Sequence, residues 1–188
     1  MKKLLILGLF LILNSSFLLA PTAVKTEERK QKEIECTQKE IKYNDLYKSA
    51  LSKLREFEGL RLMPYADSHG ASIGYGHFIR NGEHFTKITE LEAEILLKSD
   101  FETAMKTVEN NTKYNRYDNP EKVLALAHFV FNFGENAFVN STMLYNIKHD
   151  KPINNEITRW VHAKVNGEFI TLNCLVQRRN YELNLYNS

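Results

Sequence analysis

The first strongly periodic run of hydrophobic positions in the chain ends at Glu58. Apolar residues occur there at helical spacing: Leu51, Leu54 and Phe57. Asn44 or Asp45 offers an N-cap for this run, and Gly59 offers a stop directly after Glu58. The pattern therefore predicts a helix from about Asp45 to Glu58, with the Glu58 carboxyl at its C-terminal end.

An extended pattern follows this helix. Residues 60–65 contain Pro64, which does not fit the interior of a helix. From Ala71 to Phe78, polar and apolar residues alternate between several glycines, and this alternation is typical of a strand. We expect these residues to form a small β-lobe that provides one wall of a cleft.

Two further helices are predicted in the next part of the chain. Thr89 and Glu92 have the spacing of a capping box, so a helix should start at Thr89 and extend toward Val108 as a link between two lobes. Residues 123–131 are almost continuously apolar, which indicates a helix that is buried on several sides, with His128 in the core or at its rim. The predicted fold is α+β, mainly α.

The first 20 residues have the pattern of an export signal. Lys2 and Lys3 precede an apolar stretch at residues 4–13, which is short for a membrane span. The cleavage site is poorly defined, so a cleaved signal peptide and an uncleaved anchor are both open. The predicted division of the chain is residues 1–23 as signal peptide or signal anchor, residues 24–44 as a charged tether or exposed helix, and residues 45–188 as the folded domain.

The two cysteines are Cys36, in the charged segment, and Cys174, near the C-terminus. In an exported protein they are compatible with one disulfide. Two free thiols, or Cys174 as a small core residue, are the alternatives, because the sequence does not show whether the two residues meet.

Composition and charge restrict the class of partner. The chain has 188 residues and 43% hydrophobic content, enough for one domain with a proper core. Its formal net charge of +2 is weakly basic, which suits an anionic surface such as a bacterial cell wall. Nucleic-acid binding normally needs a concentrated basic face, so we expect no nucleic-acid partner.

The candidate chemistry starts from two acidic residues. Glu58 and Asp67 lie nine positions apart, on either side of the predicted corner between helix and extended segment. Two carboxyl groups that approach each other suit glycoside hydrolysis, in which one donates a proton and the other, ionised, activates water or stabilises positive charge on the sugar. On spacing alone, two solvated acids near a loop remain an alternative.

No metal site is predicted. His69, His77 and His84 match no recognised ligand spacing, and no cysteine lies near them.

The run from residue 58 to residue 77 contains Glu-Gly-Leu-Arg-Leu, then Tyr-Ala-Asp, then Gly-Ala-Ser-Ile-Gly-Tyr-Gly-His. It resembles the active-site signature of the phage-type lysozymes, glycoside hydrolase family 24, which includes phage endolysins. The resemblance implies Glu58 as the catalytic acid, Asp67 as the residue that activates or positions water, and Ser72 as a hydroxyl that helps to hold it. Ser72 replaces the usual threonine, and the hairpin from Asp67 to Ser72 is one residue shorter than the usual pattern, a departure that can displace the hydroxyl.

The similarity continues from roughly Asp45 to the end of the chain. It includes Phe-Asn-Phe-Gly at residues 131–134 and Gln-Arg-Arg-x-x-Glu at residues 177–182. The matching positions imply the following glycan contacts: Phe78, Phe131, Ser141 and Asn154. They also imply a structural ion pair between His77 and Asp100. Two alternatives stay open, namely Phe131 as a core residue only and Ser141 as a helix cap.

The resemblance implies a lysozyme-like fold for residues 45–188, with a β-hairpin lobe, a linking helix and a helical lobe. It also implies hydrolysis, without a cofactor, of the β-1,4 bond between N-acetylmuramic acid and N-acetylglucosamine in bacterial peptidoglycan. Together with the export signal, it suggests a monomeric endolysin for phage-induced host lysis, or a bacterial wall-remodelling enzyme. Such an enzyme would act in the periplasm or at the cell wall and contact the membrane only through its N-terminal signal or anchor.

Two other functions fit the same sequence. One is an exported peptidoglycan-binding protein whose lysozyme scaffold has lost activity. The other is a lytic transglycosylase, which needs no activating water and could use one acid alone.

Overall fold

The computed structural model describes residues 21–67, 70–165 and 167–188. The predicted export signal at residues 1–20 lies outside the described residues. The helices are α1 (Pro21–Glu58), α2 (Glu90–Asn111), α3 (Pro120–Phe133), α4 (Glu135–Val139), α5 (Thr142–Lys148), α6 (Asn154–Ile157) and α7 (Asn173–Tyr186). The strands are β1 (Arg61–Asp67), β2 (Gly70–Gly74), β3 (His77–Phe78), β4 (His162–Val165) and β5 (Glu168–Thr171). The mainly helical α+β class is confirmed.

Helix α1 begins long before the expected N-cap, so the predicted start at Asn44 or Asp45 is wrong. Residues 25–42 are rich in lysine, glutamate and glutamine and contain neither glycine nor proline, so nothing in them interrupts a helix. Their side chains are nearly all exposed, as expected for the exposed-helix alternative. Residues Gln38–Ser188 form the compact unit that contains the core, and the unit that ends at Thr37 is described only over residues 21–37.

The small lobe is an antiparallel sheet in the order β1-β2-β3. The register of β1 against β2 shifts between Arg61 and Tyr65, where Pro64 cannot donate a ladder hydrogen bond. The predicted strand from Ala71 to Phe78 is divided into β2 and β3, because the chain turns back after Gly74.

Two hydrophobic clusters show how α2 joins the lobes. Near its start, Ala93 packs with Ile73 and Ile88 in the small cluster. Farther along, Phe101 belongs to the large cluster formed by α1, α2, α3 and α5. The predicted linking helix is therefore confirmed, and so is its capping box: Glu92 N donates to Thr89 Oγ1 over 3.2 Å, and Thr89 N donates to Glu92 Oε2 over 2.7 Å.

Helix α3 forms the centre of the helical lobe. All of its residues from Pro120 to Val130 except Glu121 and Lys122 are buried. His128 is packed edge-on against the rings of Phe101 and Tyr181, and burial lowers its pKa to about 3, which keeps it neutral. The interpretation of His128 as a core residue is confirmed.

The C-terminal part contains a feature that the hydrophobic pattern did not predict. Strands β4 and β5 form an exposed two-stranded hairpin directly before α7. Trp160, just before it, packs against the rings of Phe129 and Phe133 at centroid distances of 5.1 and 5.0 Å. Helix α7 then crosses α3 and returns the chain to the C-terminal end of α1.

Both cysteines are free and exposed, so the disulfide alternative is not found.

Within residues 21–188, as far as they are described, no helix is both long and apolar enough to cross a membrane.

Candidate active site

Glu58 stands at the junction of the two lobes. It is the last residue of α1, and Gly59, at φ +67°, ends the helix with its N–H donating to the Arg55 carbonyl over 3.0 Å. Strand β1 starts at Arg61, two residues after Gly59. The Glu58 carboxyl therefore projects from the helical lobe at the point where the β-lobe begins. This is the position that the sequence pattern predicted.

One oxygen of this carboxyl faces an arginine from α7. Glu58 Oε1 lies 2.8 Å from Nη1 of Arg178, and the Arg178 guanidinium lies 4.8 Å from the centroid of the Phe57 ring. The Glu58–Arg178 contact has the distance of an ion pair but not the alignment of a hydrogen bond, so the buried Oε1 atom has no hydrogen-bond partner among the described residues. Sequence reasoning gave Arg178 no role, because 120 positions separate it from Glu58.

The other oxygen of Glu58 lies against the β-lobe. A Cβ atom on Gly76 would be 3.2 Å from Glu58 Oε2, so close that the carboxyl would have to shift by a few tenths of an ångström. Gly76 also has φ +83°, a conformation that glycine adopts most easily. The two oxygens are therefore confined from opposite sides, Oε1 by Arg178 and Oε2 by the turn at Gly76.

Replacement of Gly76 by alanine should lower kcat about tenfold or more, because the new methyl group displaces the Glu58 carboxyl by a fraction of an ångström. The matched control is Gly82→Ala. Gly82 has a similar φ of +93°, but a Cβ there meets nothing within 4 Å, so this variant carries the same backbone strain of about 1–2 kcal/mol without the contact. Peptidoglycan hydrolysis and thermal unfolding measure both effects. Equal rates for the two variants, corrected for the folded fraction, would contradict the confinement of Glu58 by Gly76.

The second acid and the hydroxyl lie on the β1–β2 hairpin. Asp67 is the last residue of β1 and pairs with Gly70, while Ser72 pairs with Tyr65. Because side chains alternate along a strand and opposite residues share a face, the register puts Asp67 and Ser72 at positions on the same face of the hairpin. Ser72 is buried, and the Asp67 side chain and the turn residues Ser68 and His69 lie outside the described part of the chain.

A cleft of about 290 Å³ separates the β-lobe from the helical lobe. Phe78 contributes to its wall from β3 and Phe131 from α3, so the structure brings these two predicted sugar contacts together. Gly76, the residue against Glu58 Oε2, lines the same cleft. Oε2 of Glu58 therefore lies next to a residue of the cleft that the two aromatic rings flank.

The other two predicted sugar contacts do not line this cleft. Ser141 is the N-cap of α5: its Oγ accepts from Leu144 N over 3.0 Å and donates to the Phe138 carbonyl over 2.7 Å. The cap alternative for Ser141 is thus confirmed, and its hydroxyl is already engaged. Asn154 is exposed at the start of α6.

The ion pair implied by the resemblance is present. His77 Nδ1 lies 2.6 Å from Asp100 Oδ2, which joins β3 to α2, and His77 Nε2 lies 3.2 Å from Glu83 Oε2. The hydrogen bond to Asp100 raises the pKa of His77 above its ordinary value although burial opposes the charge. Arg80 adds a contact of 3.2 Å to the other oxygen of Asp100. This network fixes the β-lobe on the linking helix.

Among the described residues, no group of three or more His, Cys, Asp or Glu side chains is placed to hold a metal ion.

A half-buried acid at the end of a helix, followed directly by a hairpin whose first strand ends in a second acid, fits a two-carboxylate glycoside hydrolase of the lysozyme class. The comparisons with known proteins agree. The sequence model of the phage lysozyme family matches residues 55–182, and this chain belongs to that family. It is a muramidase of the phage type, and its family implies peptidoglycan as the substrate.

Individual relatives support the same family. The endolysin of Acyrthosiphon pisum secondary endosymbiont phage 1 is 33% identical over 142 residues, which are 72% of this chain and 92% of that protein. The muramidase domain of SpmX from Asticaccaulis excentricus has a similar fold, with a TM-score of 0.65 and 26% identity over 74% of this chain and 95% of the domain. An endolysin from Escherichia coli O157:H7 phage FAHEc1 has a similar fold, with a TM-score of 0.61 and 30% identity over 73% of this chain and 89% of that endolysin. The expected lysozyme-like fold is confirmed.

Proposed function

We propose that this muramidase cleaves the β-1,4 bond between N-acetylmuramic acid and N-acetylglucosamine, with Glu58 as the general acid. The observation that carries the proposal is the confinement of the Glu58 carboxyl at the edge of the cleft. Arg178 lies against Oε1, so Oε2 is the oxygen next to the cleft-lining Gly76. Oε2 is accordingly the atom proposed to give its proton to the leaving oxygen.

The rest of the reaction is assigned to the hairpin. Asp67, as a carboxylate, activates a water molecule or stabilises the positive charge that develops on the sugar as the bond breaks. The Ser72 hydroxyl, at a position on the same hairpin face, helps to hold that water. The proton that leaves Glu58 is replaced by the proton released when water adds to the sugar, so the cycle closes without a cofactor.

The glycan strand is proposed to lie along the cleft between Phe78 and Phe131. Phe78 is 43% exposed and Phe131 is half-buried, so both rings offer apolar surface to sugar rings from opposite walls. Ser141 and Asn154 are proposed to contact the strand outside this part of the cleft. The Ser141 hydroxyl already caps α5, so a sugar would have to contact Ser141 without displacing its hydrogen bond from Leu144 N.

We further propose that the enzyme acts as a monomer in the periplasm or at the cell wall, as an endolysin in phage-induced lysis. The names of its relatives support this role, since the similar phage proteins are endolysins. Residues 1–23 are proposed to direct export as a signal peptide or signal anchor, and residues 24–44 to connect them to the lysozyme domain at residues 45–188.

The role of Asp67 is tested by Asp67→Asn, which keeps the shape of the side chain and removes its charge. We expect hydrolysis of purified peptidoglycan to fall by about 10²–10⁴-fold, the usual contribution of such a group. Asp45→Asn, an exposed acid on α1, is the control and should leave the rate unchanged. If Asp67→Asn remains fully active and releases anhydro-sugar ends, the enzyme uses one acid in the manner of a lytic transglycosylase, and the assignment of Asp67 is wrong.

A further inference from the structure

A charged pair lies in the core beside the active site. The side chains of Arg179 and Glu182, on successive turns of α7, are each 1% exposed. Arg179 Nη2 donates to Glu182 Oε1 over 2.5 Å and to Asn132 Oδ1 over 3.3 Å. The Arg179 guanidinium also lies 5.0 Å from the ring centroid of Phe129 and 4.8 Å from that of Phe133. These two rings of α3 contact each other at a centroid distance of 5.2 Å, so the Arg179 guanidinium lies against both of them at once.

Stability alone does not explain this pair. Nε and Nη1 of Arg179 and Oε2 of Glu182 are buried without a hydrogen-bond partner among the residues that the structure describes. Burial lowers the pKa of Arg179 and raises that of Glu182 to about 7, so the site disfavours both charges. Apolar side chains of similar volume often stabilise a core as well as or better than such a pair. A buried pair of this kind is better explained by the arrangement that it specifies.

That arrangement concerns Arg178, the residue directly before Arg179. Neighbouring residues of a helix point about 100° apart, so the rotation of α7 that places Arg179 against Phe129 and Phe133 also determines where Arg178 points. At a helix radius of about 5–6 Å including side chains, a rotation of about 20° would move the Arg178 head group by about 2 Å. A displacement of this size would separate the guanidinium from Glu58 Oε1, which now lies 2.8 Å away.

We propose that the buried Arg179–Glu182 pair is a positioning device for the catalytic acid: it fixes the rotation of α7 on α3 and so places Arg178 against Glu58. This inference rests on the proposed role of Glu58. Neither Arg179 nor Glu182 touches the reacting atoms, and both act through Arg178.

The test replaces the pair by apolar residues of similar size in the double variant Arg179→Met/Glu182→Leu of the full-length protein. We expect this variant to unfold at or near the wild-type temperature, because no unpaired charge is left in the core. Its kcat should fall tenfold or more while KM changes less than about twofold, because the acid is displaced while the cleft between Phe78 and Phe131 is unchanged. A crystal structure of the variant should show Arg178 Nη1 beyond ion-pair distance from Glu58 Oε1.

The control double variant is Glu27→Leu/Lys30→Met, which removes an exposed pair with the same spacing on α1 and should leave kcat and KM unchanged. A folded Arg179→Met/Glu182→Leu variant with wild-type kcat and a wild-type Glu58–Arg178 distance would overturn the proposal. If this variant does not fold, Arg179→Lys, which keeps the charge beside Glu182 but removes the planar group from the Phe129 and Phe133 rings, is measured per folded molecule with the same criteria. Glu58→Gln separates the two claims: activity in that variant refutes the proposed function, whereas an inactive Glu58→Gln beside a fully active double variant refutes only the positioning role.

Discussion

Replacement of Glu58 by glutamine is expected to lower kcat on peptidoglycan by about 10²–10⁴-fold. Glutamine keeps the size of the side chain and an oxygen for Arg178, but it has no proton to give to the leaving sugar oxygen. The cleft between Phe78 and Phe131 is unaffected by the change, so binding of the glycan should persist with KM within about threefold of wild type. A loss in kcat without a comparable change in KM identifies a group that acts only in the transition state.

The control for this variant is Glu56→Gln on the same helix. Glu56 is 66% exposed, and its carboxylate accepts from Lys53 Nζ over 2.7 Å. An exposed pair of this type contributes little to stability, so Glu56→Gln should behave as wild type. If both variants retain full activity, Glu58 is not the acid.

Replacement of His77 by asparagine is expected to destabilise the protein by about 1.5–3 kcal/mol near pH 6, the range for a hydrogen bond between charged groups. His77 is 3% exposed and lies 2.6 Å from Asp100, so the variant removes a buried contact between β3 and α2. Arg80 still contacts Asp100 in this variant, so the loss of stability should be smaller than the loss caused by a buried acid without any partner. Denaturant unfolding of both proteins measures the difference.

The pH dependence of this difference has a definite sign. The Asp100 carboxylate raises the pKa of His77 above its ordinary value of about 6.5, so the folded protein binds the proton more tightly than the unfolded chain does. The resulting stabilisation is fully present below about pH 6.5 and is lost as the pH rises through the raised pKa of the folded state. We therefore expect the difference in unfolding free energy between wild type and His77→Asn to be widest near pH 6 and to shrink as the pH rises above about 6.5.

His84→Asn provides the control, because His84 is an exposed histidine between the same β-lobe and α2. It should change the unfolding free energy by less than about 0.5 kcal/mol at every pH. A gap for His77→Asn that stays constant or widens as the pH rises would contradict a protonated His77 in the folded protein.

The sequence was sufficient where local signals and periodicity agree. The end of α1 at Glu58, the capping box at Thr89 and the buried helix around His128 all follow from residues within a few positions of one another. It was insufficient for the start of α1, because Asn44 and Asp45 act as caps only where the preceding residues leave the helix. The charged segment before Asn44 consists of residues that favour a helix, so α1 runs through this position without a cap.

The hairpin formed by β4 and β5 carried a local signal that hydrophobic periodicity does not detect. Asn166-Gly167 is a dipeptide that favours a two-residue hairpin turn, and the flanking strands are exposed on both faces, so they show no apolar alternation. The division of the predicted strand after Gly74 likewise follows from turn chemistry rather than from alternation.

The two candidate acids could be proposed from the sequence, whereas the residues around them could not. Glu58 and Asp67 could be proposed from one short run because both lie in it. Arg178 could not, since its contact with Glu58 depends on how α7 packs against α3 after the chain has passed through the whole helical lobe. The placement of Phe78 and Phe131 on opposite walls of one cleft is also a product of tertiary packing, and only the family resemblance pointed to it.

The most direct test of Glu58 as the acid of a muramidase is mass spectrometry of the soluble fragments released from purified peptidoglycan by the full-length protein and by Glu58→Gln. The account predicts fragments with reducing N-acetylmuramic acid ends from the wild-type protein and none from the variant. Intact glycan strands after incubation with the folded wild-type protein, or the same reducing ends from Glu58→Gln, would contradict it.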